Sequence, residues 1–317
     1  MRIAILSGDG ALYSSQRLKM IGELRGHRVD ILNPLDCHLC ITNNQPTIIV
    51  RGVELPHYDA IIPRFGAALT AYGVAVVRQF EQAGTLCVNG ATAIRSARDK
   101  YQSLQMLAQA GVPVPNTGYA SHSDLAHDLV SRVGGAPLVV KLLEGDQGIG
   151  VVLADSDISA QSIVEAFHNQ NCNILVQEFL SDAKGADIRC FVVGNQVVAA
   201  MKRQASAGEF RSNLHRGGHA ETVELTEQER RVAIQAAKAI ELNVCGVDIL
   251  QTSKGPVVME VNTAPGIEGI ETTTGEDVVS VIWDLIERKI WQLSAPMEET
   301  MLGLERNQAQ GLVSLYR

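Results

Sequence analysis

The chain has 317 residues, 46% apolar and 20% charged, a balance that suits a globular protein and excludes a disordered or fibrous one. Aromatics at 4% argue against an antiparallel β-sandwich and against a stacking platform for single-stranded nucleic acid. Lys and Arg number 27 against 35 Asp and Glu, and a net charge of −8 disfavours nucleic acid and membrane surfaces as partners.

Ile3-Ala-Ile-Leu6 reads as a buried strand, too short for a signal peptide or a membrane span, so a cytoplasmic protein is expected. Tyr13 to Arg25 carries Leu18, Ile21 and Leu24 at helical spacing. Val29–Leu32, Ala60–Ile62 and Leu86–Val88 read as further strands, and alternation of strands with helices predicts a small parallel sheet. Ser7-Gly-Asp-Gly10 begins like a dinucleotide loop, but Tyr13 stands where GxGxxG needs its third glycine, which leaves an NAD-dependent dehydrogenase a poor second choice. Cys37-His-Leu-Cys40 has zinc-ligand spacing without a second pair to complete four ligands, so reduced thiols are expected.

Ser96-Ala-Arg-Asp99 has capping-box spacing ahead of a helix with Tyr101, Leu104, Leu107 and Ala108 on one face, stopped by Gly111 and Val112-Pro-Val-Pro115. A domain boundary is placed near residue 97. A helix over 124–133, a strand Leu138–Leu142, a glycine-rich loop Gly145–Gly150, a strand Val151–Ala154, a helix Ser162–His168 and a strand Ile174–Phe179 follow. Beyond 187 the pattern turns to hairpins: Ile188–Val193 with Val197–Arg203 around Gly194-Asn195, and Val247–Gln251 with Val257–Asn262. Between them Thr226-Glu-Gln-Glu229 is a capping box that opens a helix through Ile240. Residues 292–317 show weak periodicity.

Three features carry chemistry. Lys141 on an apolar strand precedes Gly145, Gly148 and Gly150, a loop bare enough for backbone N–H groups to approach phosphate oxygens beside a fixed cation; an ordinary hairpin turn is the alternative. Glu260 and Asn262, two apart, leave one face of a strand, and a hairpin pivoting on Lys254 sets Asp248 opposite Glu260. Carboxylates among apolar neighbours call for a cation, and oxygen-only donors select Mg²⁺ or Mn²⁺ over zinc. Finally, residues 184–216 hold six basic side chains (Lys184, Arg189, Lys202, Arg203, Arg211, Arg216) against Asp187 and Glu209, a local reversal that marks an anion site and, in Lys184, Lys202 and Arg216, a means of steering an acidic acceptor.

Lys100, Lys141 with its glycine loop, Gln177-Glu-Phe179, Asp187-Ile-Arg189, Arg203, Arg211-Ser-Asn213, Arg216-Gly-Gly218 and Asp248 with Glu260-Val-Asn262 follow the order of the ATP-grasp ligases, which this chain resembles to about residue 290. Within them it is similar to the branch that adds glutamate to the C-terminus of the sixth small-subunit ribosomal protein. The resemblance implies an α/β and α+β architecture, an ATP-grasp fold behind an N-terminal pre-ATP-grasp parallel-sheet domain. It divides the chain into a pre-ATP-grasp domain (1–97), a subdomain with the lid loop (98–180), a subdomain with the metal hairpin (181–290) and a C-terminal tail (291–317).

By matching position, Lys100, Lys141 and Gly148 would meet ATP phosphates, Glu178 and Phe179 the adenine, and Asp187 the ribose. Arg211, Ser212 and Asn213 would line the phosphate end, and Asp248, Glu260 and Asn262 would hold Mg²⁺ or Mn²⁺, two ions being expected. The implied reaction is α-L-glutamate ligation through an acyl phosphate, with free L-glutamate and the tail of a ribosomal protein as partners in a homo-oligomer, a tetramer by resemblance. Arg203 is the candidate catalytic cation for the transferring phosphoryl group. A ligase for a small cofactor or carrier protein would share these residues, whereas a nucleotide-binding regulator would be expected to lack part of the metal trio.

Overall fold

In a computed structural model of the chain, the described residues are 1–119, 126–143, 150–169, 172–206, 209–212 and 217–294. The N-terminal part contains β1 (Arg2–Leu6), α1 (Tyr13–Leu24), β2 (Arg28–Leu32), β3 (Cys37–Thr42), β4 (Gln45–Val50), β5 (Val53–Glu54), β6 (Ala60–Pro63), α2 (Thr70–Gln82), β7 (Leu86–Cys87) and α3 (Ala91–Arg98). Strands β2-β1-β6-β7 form an all-parallel sheet in that order, as the alternation predicts. Ile3, Ile5, Ala60 and Ile62 enter one core and Ala4, Leu6 and Ile61 another, because a parallel sheet covered on both faces needs apolar residues at every position.

Three details differ from expectation. The antiparallel β3-β4-β5 sheet and α2 have no counterpart among the predicted elements; Asn43-Asn44, both at positive φ, is the two-residue turn that marks the first hairpin. Leu24 is exposed, and the buried stripe of α1 runs through Ser15, Leu18 and Gly22, where a Cβ would come within 2.2 Å of the buried Trp283 ring. Ser96 lies inside α3, and the cap of α4 (Lys100–Gln109) is Asp99, which accepts from the N–H groups of Tyr101 and Gln102.

The middle part is β8 (Thr117–Gly118), α5 (Ala126–Arg132), β9 (Leu138–Leu142), β10 (Val151–Ala154), α6 (Asp157–His168) and β11 (Ile174–Glu178), with an antiparallel sheet ordered β10-β9-β11-β8. Then come β12 (Ala186–Val193), β13 (Gln196–Gln204), β14 (His219–Thr222), α7 (Glu227–Ala239), β15 (Val244–Thr252), β16 (Gly255–Asn262), α8 (Ile267–Thr274) and α9 (Val278–Ser294). Their antiparallel sheet is ordered β14-β13-β12-β15-β16. Thr226 and Glu229 form the predicted reciprocal cap of α7.

Cys190 and Val192 on β12 pack with α4 and α7, while Phe191 and Val193 pack with α8, α9 and the parallel sheet, so one strand supplies two cores by alternation. Helix α9 has no counterpart among the predicted elements; it buries Ile282, Trp283 and Ile286 and reaches Ser294, past the start assigned to the tail. Residues 295–317 lie outside the described residues. Among the described residues, no helix is long and apolar enough to cross a membrane.

Candidate active site

The middle sheet and the C-terminal sheet face each other across a cavity of about 610 Å³. Period-two alternation builds its walls. Leu138, Val140, Ile174 and Val176 enter the core beneath α5 and α6, which turns Val139, Lys141, Leu175 and Gln177 toward the cavity. On the opposite wall Ile188 and Cys190 are core residues, and Asp187 and Arg189 face in.

The hairpin β15–β16 brings the three oxygen donors together. Asp248 pairs with Glu260 and Gly246 with Asn262, so Asp248, Glu260 and Asn262 share a face and line the cavity. The turn is not centred on Lys254 as expected. Thr252 pairs with Gly255 and Ile249 with Val258, and the register then shifts at Met259. Had the ladder run on without this bulge, Glu260 would lie opposite Val247 and point to the other face. Glu260 is exposed, whereas the Asp248 carboxylate is buried. Among the described residues no cluster of three or more His, Cys, Asp or Glu could hold a metal, and the third oxygen donor on this face is the amide oxygen of Asn262, which accepts from the Ala264 N–H at 3.0 Å.

Asp248 is held by two arginines. Arg189, its register partner on β12, grips both carboxylate oxygens, Nη2 to Oδ2 at 2.7 Å. The Arg189 side chain crosses Gly246, where a Cβ would lie 2.9 Å from Pro265 Cβ and 3.0 Å from Arg189 Cδ, so a side chain there would crowd both. Arg203 donates from Nη2 to the same Oδ2 of Asp248 at 2.9 Å and from Nε to Asp187 at 2.7 Å. Burial alone would raise the Asp248 carboxyl, but Arg189 and Arg203 hold it down at about 2.

This network changes the reading of two residues. Asp187 gives both oxygens to Arg203 and is buried, so it braces the wall instead of opening toward a ribose. Arg203 is likewise buried between two carboxylates, its charge already balanced. Three of the six cations of the basic stretch are paired: Arg189 with Asp248, Arg203 with Asp187 and Asp248, and Arg211 with Glu209, whose carboxyl the guanidinium draws down to about 2; Asp248, distant in sequence, adds one negative charge to the two within the stretch. Lys184 remains exposed, Lys202 faces Glu221 across the ladder, and Arg216 lies outside the described residues.

Lys141 donates to Gln177 Oε1 at 2.6 Å, and Gln177 in turn donates to Thr117 Oγ1 at 2.8 Å. Burial pushes the Lys141 ammonium down to about 8, with Glu260 opposing and Lys100 adding to the shift. Lys100 donates to the Leu143 carbonyl at 2.8 Å and lines the same cavity. Glu178 accepts from the backbone and side chain of Asn116 at 2.8 and 2.9 Å, and Phe179 meets Phe210 edge-on with centroids 6.3 Å apart. Arg211 and Ser212 complete the described lining, while Gly145, Gly148 and Asn213 lie outside the described residues. The cavity also takes in Arg64 and Arg98 from the N-terminal part, which no motif had flagged.

This arrangement, a lysine-bearing sheet closing on an acidic hairpin behind a parallel-sheet domain, has a match in known families. Residues 97–286 match the RimK-like ATP-grasp domain and residues 1–94 the RimK PreATP-grasp domain. The chain belongs to the RimK-like ATP-grasp family. It is a ligase forming carbon–nitrogen bonds.

Relatives within this family include proteins named "Probable alpha-L-glutamate ligase" from Vibrio parahaemolyticus, 60% identical over 91% of this chain and 96% of the relative, and from Shewanella loihica, 61% identical with the same coverage. Among solved structures, the ATP-grasp ligase PsnB complexed with minimal precursor superposes with a TM-score of 0.71 at 20% identity, over 90% of this chain and 98% of that one. A RimK domain protein from Sphaerobacter thermophilus gives 0.69 at 23%, over 90% and 99%. PsnB has also been seen with Mg and ADP.

Proposed function

We propose that this RimK-like ATP-grasp ligase uses ATP and Mg²⁺ or Mn²⁺ to add L-glutamate to the C-terminal carboxylate of a cytoplasmic protein acceptor, the sixth small-subunit ribosomal protein. The observation that carries the proposal is the Asp248–Glu260–Asn262 face opening on the same cavity as Lys100 and Lys141. The names of the relatives at about 60% identity support glutamate as the amine.

A carboxylate is a poor electrophile. Its oxygen bonds to the γ-phosphorus of ATP as the bridging β–γ bond breaks and ADP departs. The glutamate amine then attacks the acyl carbon, phosphate leaves with the bonding pair, and the nitrogen gives up a proton. In this reading Lys100, Lys141, Gly148, Arg211, Ser212 and Asn213 bind phosphate oxygens, and Glu178 with Phe179 borders the base. Arg189 and Arg203 keep Asp248 ionised and fixed, and Asp187 holds Arg203 in place.

The donor set of Asp248, Glu260 and Asn262 fits a hard divalent ion. All three offer oxygen, Asp248 is ionised, and Glu260 faces the cavity with no ion-pair partner among the described residues. Such ions, when bound, neutralise charge on the β- and γ-phosphate oxygens.

Mass spectrometry of the ribosomal acceptor after incubation with ATP, Mg²⁺ and glutamate tests the assignment; mass steps of one glutamyl residue on its C-terminal peptide are expected. ADP release with the acceptor unmodified, and with a small carboxylic acid consumed instead, would redirect the assignment to a cofactor or carrier substrate.

A further inference from the structure

One corner of the cavity is used by none of the residues assigned to nucleotide or metal. Arg64 directly follows β6, and its backbone N–H bonds the Leu6 carbonyl at 2.8 Å, so it stands at the carboxyl ends of β6 and β1. Strand β1 pairs with β2 on one side and β6 on the other, which makes this the point where strand order reverses. Open parallel sheets take their ligands in that crevice.

The Arg64 side chain lines the cavity and is only partly satisfied. Its Nη2 donates to the Pro265 carbonyl at 2.7 Å, while Nε and Nη1 are shielded from solvent and have no hydrogen-bond partner among the described residues. Arg189 and Arg203, by contrast, each hold a carboxylate. A second guanidinium adds like charge: Arg98, at the end of α3, is tethered to the Phe65 carbonyl at 2.9 Å. Burial, and then Arg98, push Arg64 down to about 10. A buried donor left unmet is costly, and a charged one more so, which points to an acceptor supplied from outside the chain.

The same rim carries one carboxylate. Pro265 and Gly266 lead into α8, whose first turn presents Glu268, exposed and facing the cavity. A cation and a carboxylate on one rim form the charge pattern of a zwitterionic α-amino acid. A phosphate, or the acidic tail of an acceptor, offers no cation to Glu268.

Resting on the glutamate-ligase reading above, we infer that Arg64 anchors the α-carboxylate of the free amino acid that supplies the amine, with Arg98 reinforcing its charge and Glu268 facing the ammonium end. A carboxylate presents two acceptor oxygens to the planar guanidinium fork, and binding in this way requires the terminal side-chain torsions to rotate so that the Nε and Nη1 edge, shielded in the structure, meets the cavity. Held by its carboxylate, the amino acid keeps its nitrogen close to the acyl carbon, so that a bimolecular attack proceeds within one complex.

Calorimetric titration of the full chain, with ADP and Mg²⁺ present, tests this on wild type, Arg64→Met and Arg64→Lys. The probes are L-glutamate, L-glutamine, L-aspartate and isoglutamine, the α-amide of glutamate. Arg64→Met should weaken L-glutamate by at least about tenfold, with ADP affinity changed less than about twofold. Isoglutamine should bind weakly and indifferently to the substitution, whereas an effect of Arg64→Met on isoglutamine equal to that on glutamate would overturn the α-carboxylate assignment.

Equal L-glutamate binding by wild type and Arg64→Met overturns the inference, as does failure of wild type to bind any of the four probes. Should wild type prefer L-aspartate and lose it in Arg64→Met, the glutamate reading fails while the Arg64 assignment stands. If Arg64→Met also loses ADP, Arg64→Lys, which keeps the charge without the fork, decides by the same comparison.

Discussion

Asp248 and Glu260 face each other across β15 and β16 because Met259 is an extra residue in the ladder. The bulge lets a tight turn at Ser253-Lys254 coexist with carboxylates on one face, and it sits beside the site, where such irregularities re-aim side chains.

That pairing gives the first prediction. Glu260→Gln keeps the size and the strand but removes a ligand charge at an exposed position, so the fold should be retained and ligation lost by several orders of magnitude. Circular dichroism and amide formation at saturating Mg²⁺ check it together. Turnover within about threefold of wild type would remove Glu260 from the metal set.

In the proposed phosphate-binding role, Lys141 should make ATP binding pH-dependent. With its ammonium pushed down to about 8 by burial, the cation is present below that pH and lost above it. The KM for ATP should therefore be flat at lower pH and climb as pH rises through 8, and Lys141→Met should raise KM and abolish this step. Because the folded value lies below the ordinary 10.5, the same group favours unfolding at low pH and stops doing so between about 8 and 10.5. A KM for ATP that is level from pH 7 to 9.5 would exclude Lys141 from the phosphate site.

Arg203 is predicted to matter first for stability. Arg203→Met leaves Asp187 and Asp248 buried and adjacent without their shared cation, a loss of about 3–5 kcal/mol at neutral pH. The deficit should shrink as pH falls and a proton replaces the arginine, and Asp187→Asn should restore much of it. In wild type the depressed Asp248 carboxyl favours the folded state, fully above the ordinary value of 3.8, and this contribution is lost as pH falls toward 2. Unfolding in urea across pH measures both; an Arg203→Met protein as stable as wild type but inactive would return Arg203 to a direct role in phosphoryl transfer.

Gly150 ends the glycine loop at φ +72, and a Cβ there would lie 2.5 Å from Leu142 Cδ1. Gly150→Val should lower stability by roughly 1–3 kcal/mol through strain and overlap. It should also raise the ATP consumed per amide formed, since an ill-closed loop admits water to the acyl phosphate. A melting temperature below wild type with strict one-to-one coupling would confine Gly150 to a structural part.

Of the three residues expected to steer an acidic acceptor, Lys184 is exposed and Lys202 half-buried, while Arg216 lies outside the described residues. Lys184→Glu combined with Lys202→Glu should raise the acceptor KM more than the ATP KM, most strongly at low salt. An unchanged acceptor KM and salt dependence would reject steering by this stretch.

Local pattern determined the strands that form the site. Leu138–Leu142, Ile174–Glu178, Ala186–Val193 and the 244–262 hairpin are marked by alternation and by turn residues, and these signals act over a few positions. The spacing of Glu260 and Asn262 likewise fixed their common face, because side chains two apart on a strand must share one.

What the sequence left undecided depends on contacts between distant segments. The Met259 bulge is a compromise between the turn and the sheet. The ion pairs of Arg189 and Arg203 with Asp248 join β12, β13 and β15, and no count within residues 184–216 includes that carboxylate. Arg64 and Arg98, ordinary arginines in the sequence, meet the cavity only because the parallel sheet packs against the hairpin and α8, where burial leaves Nε and Nη1 of Arg64 without a partner among the described residues. Charge and hydrogen-bond capacity are properties of residues, but whether they are satisfied is decided by tertiary packing.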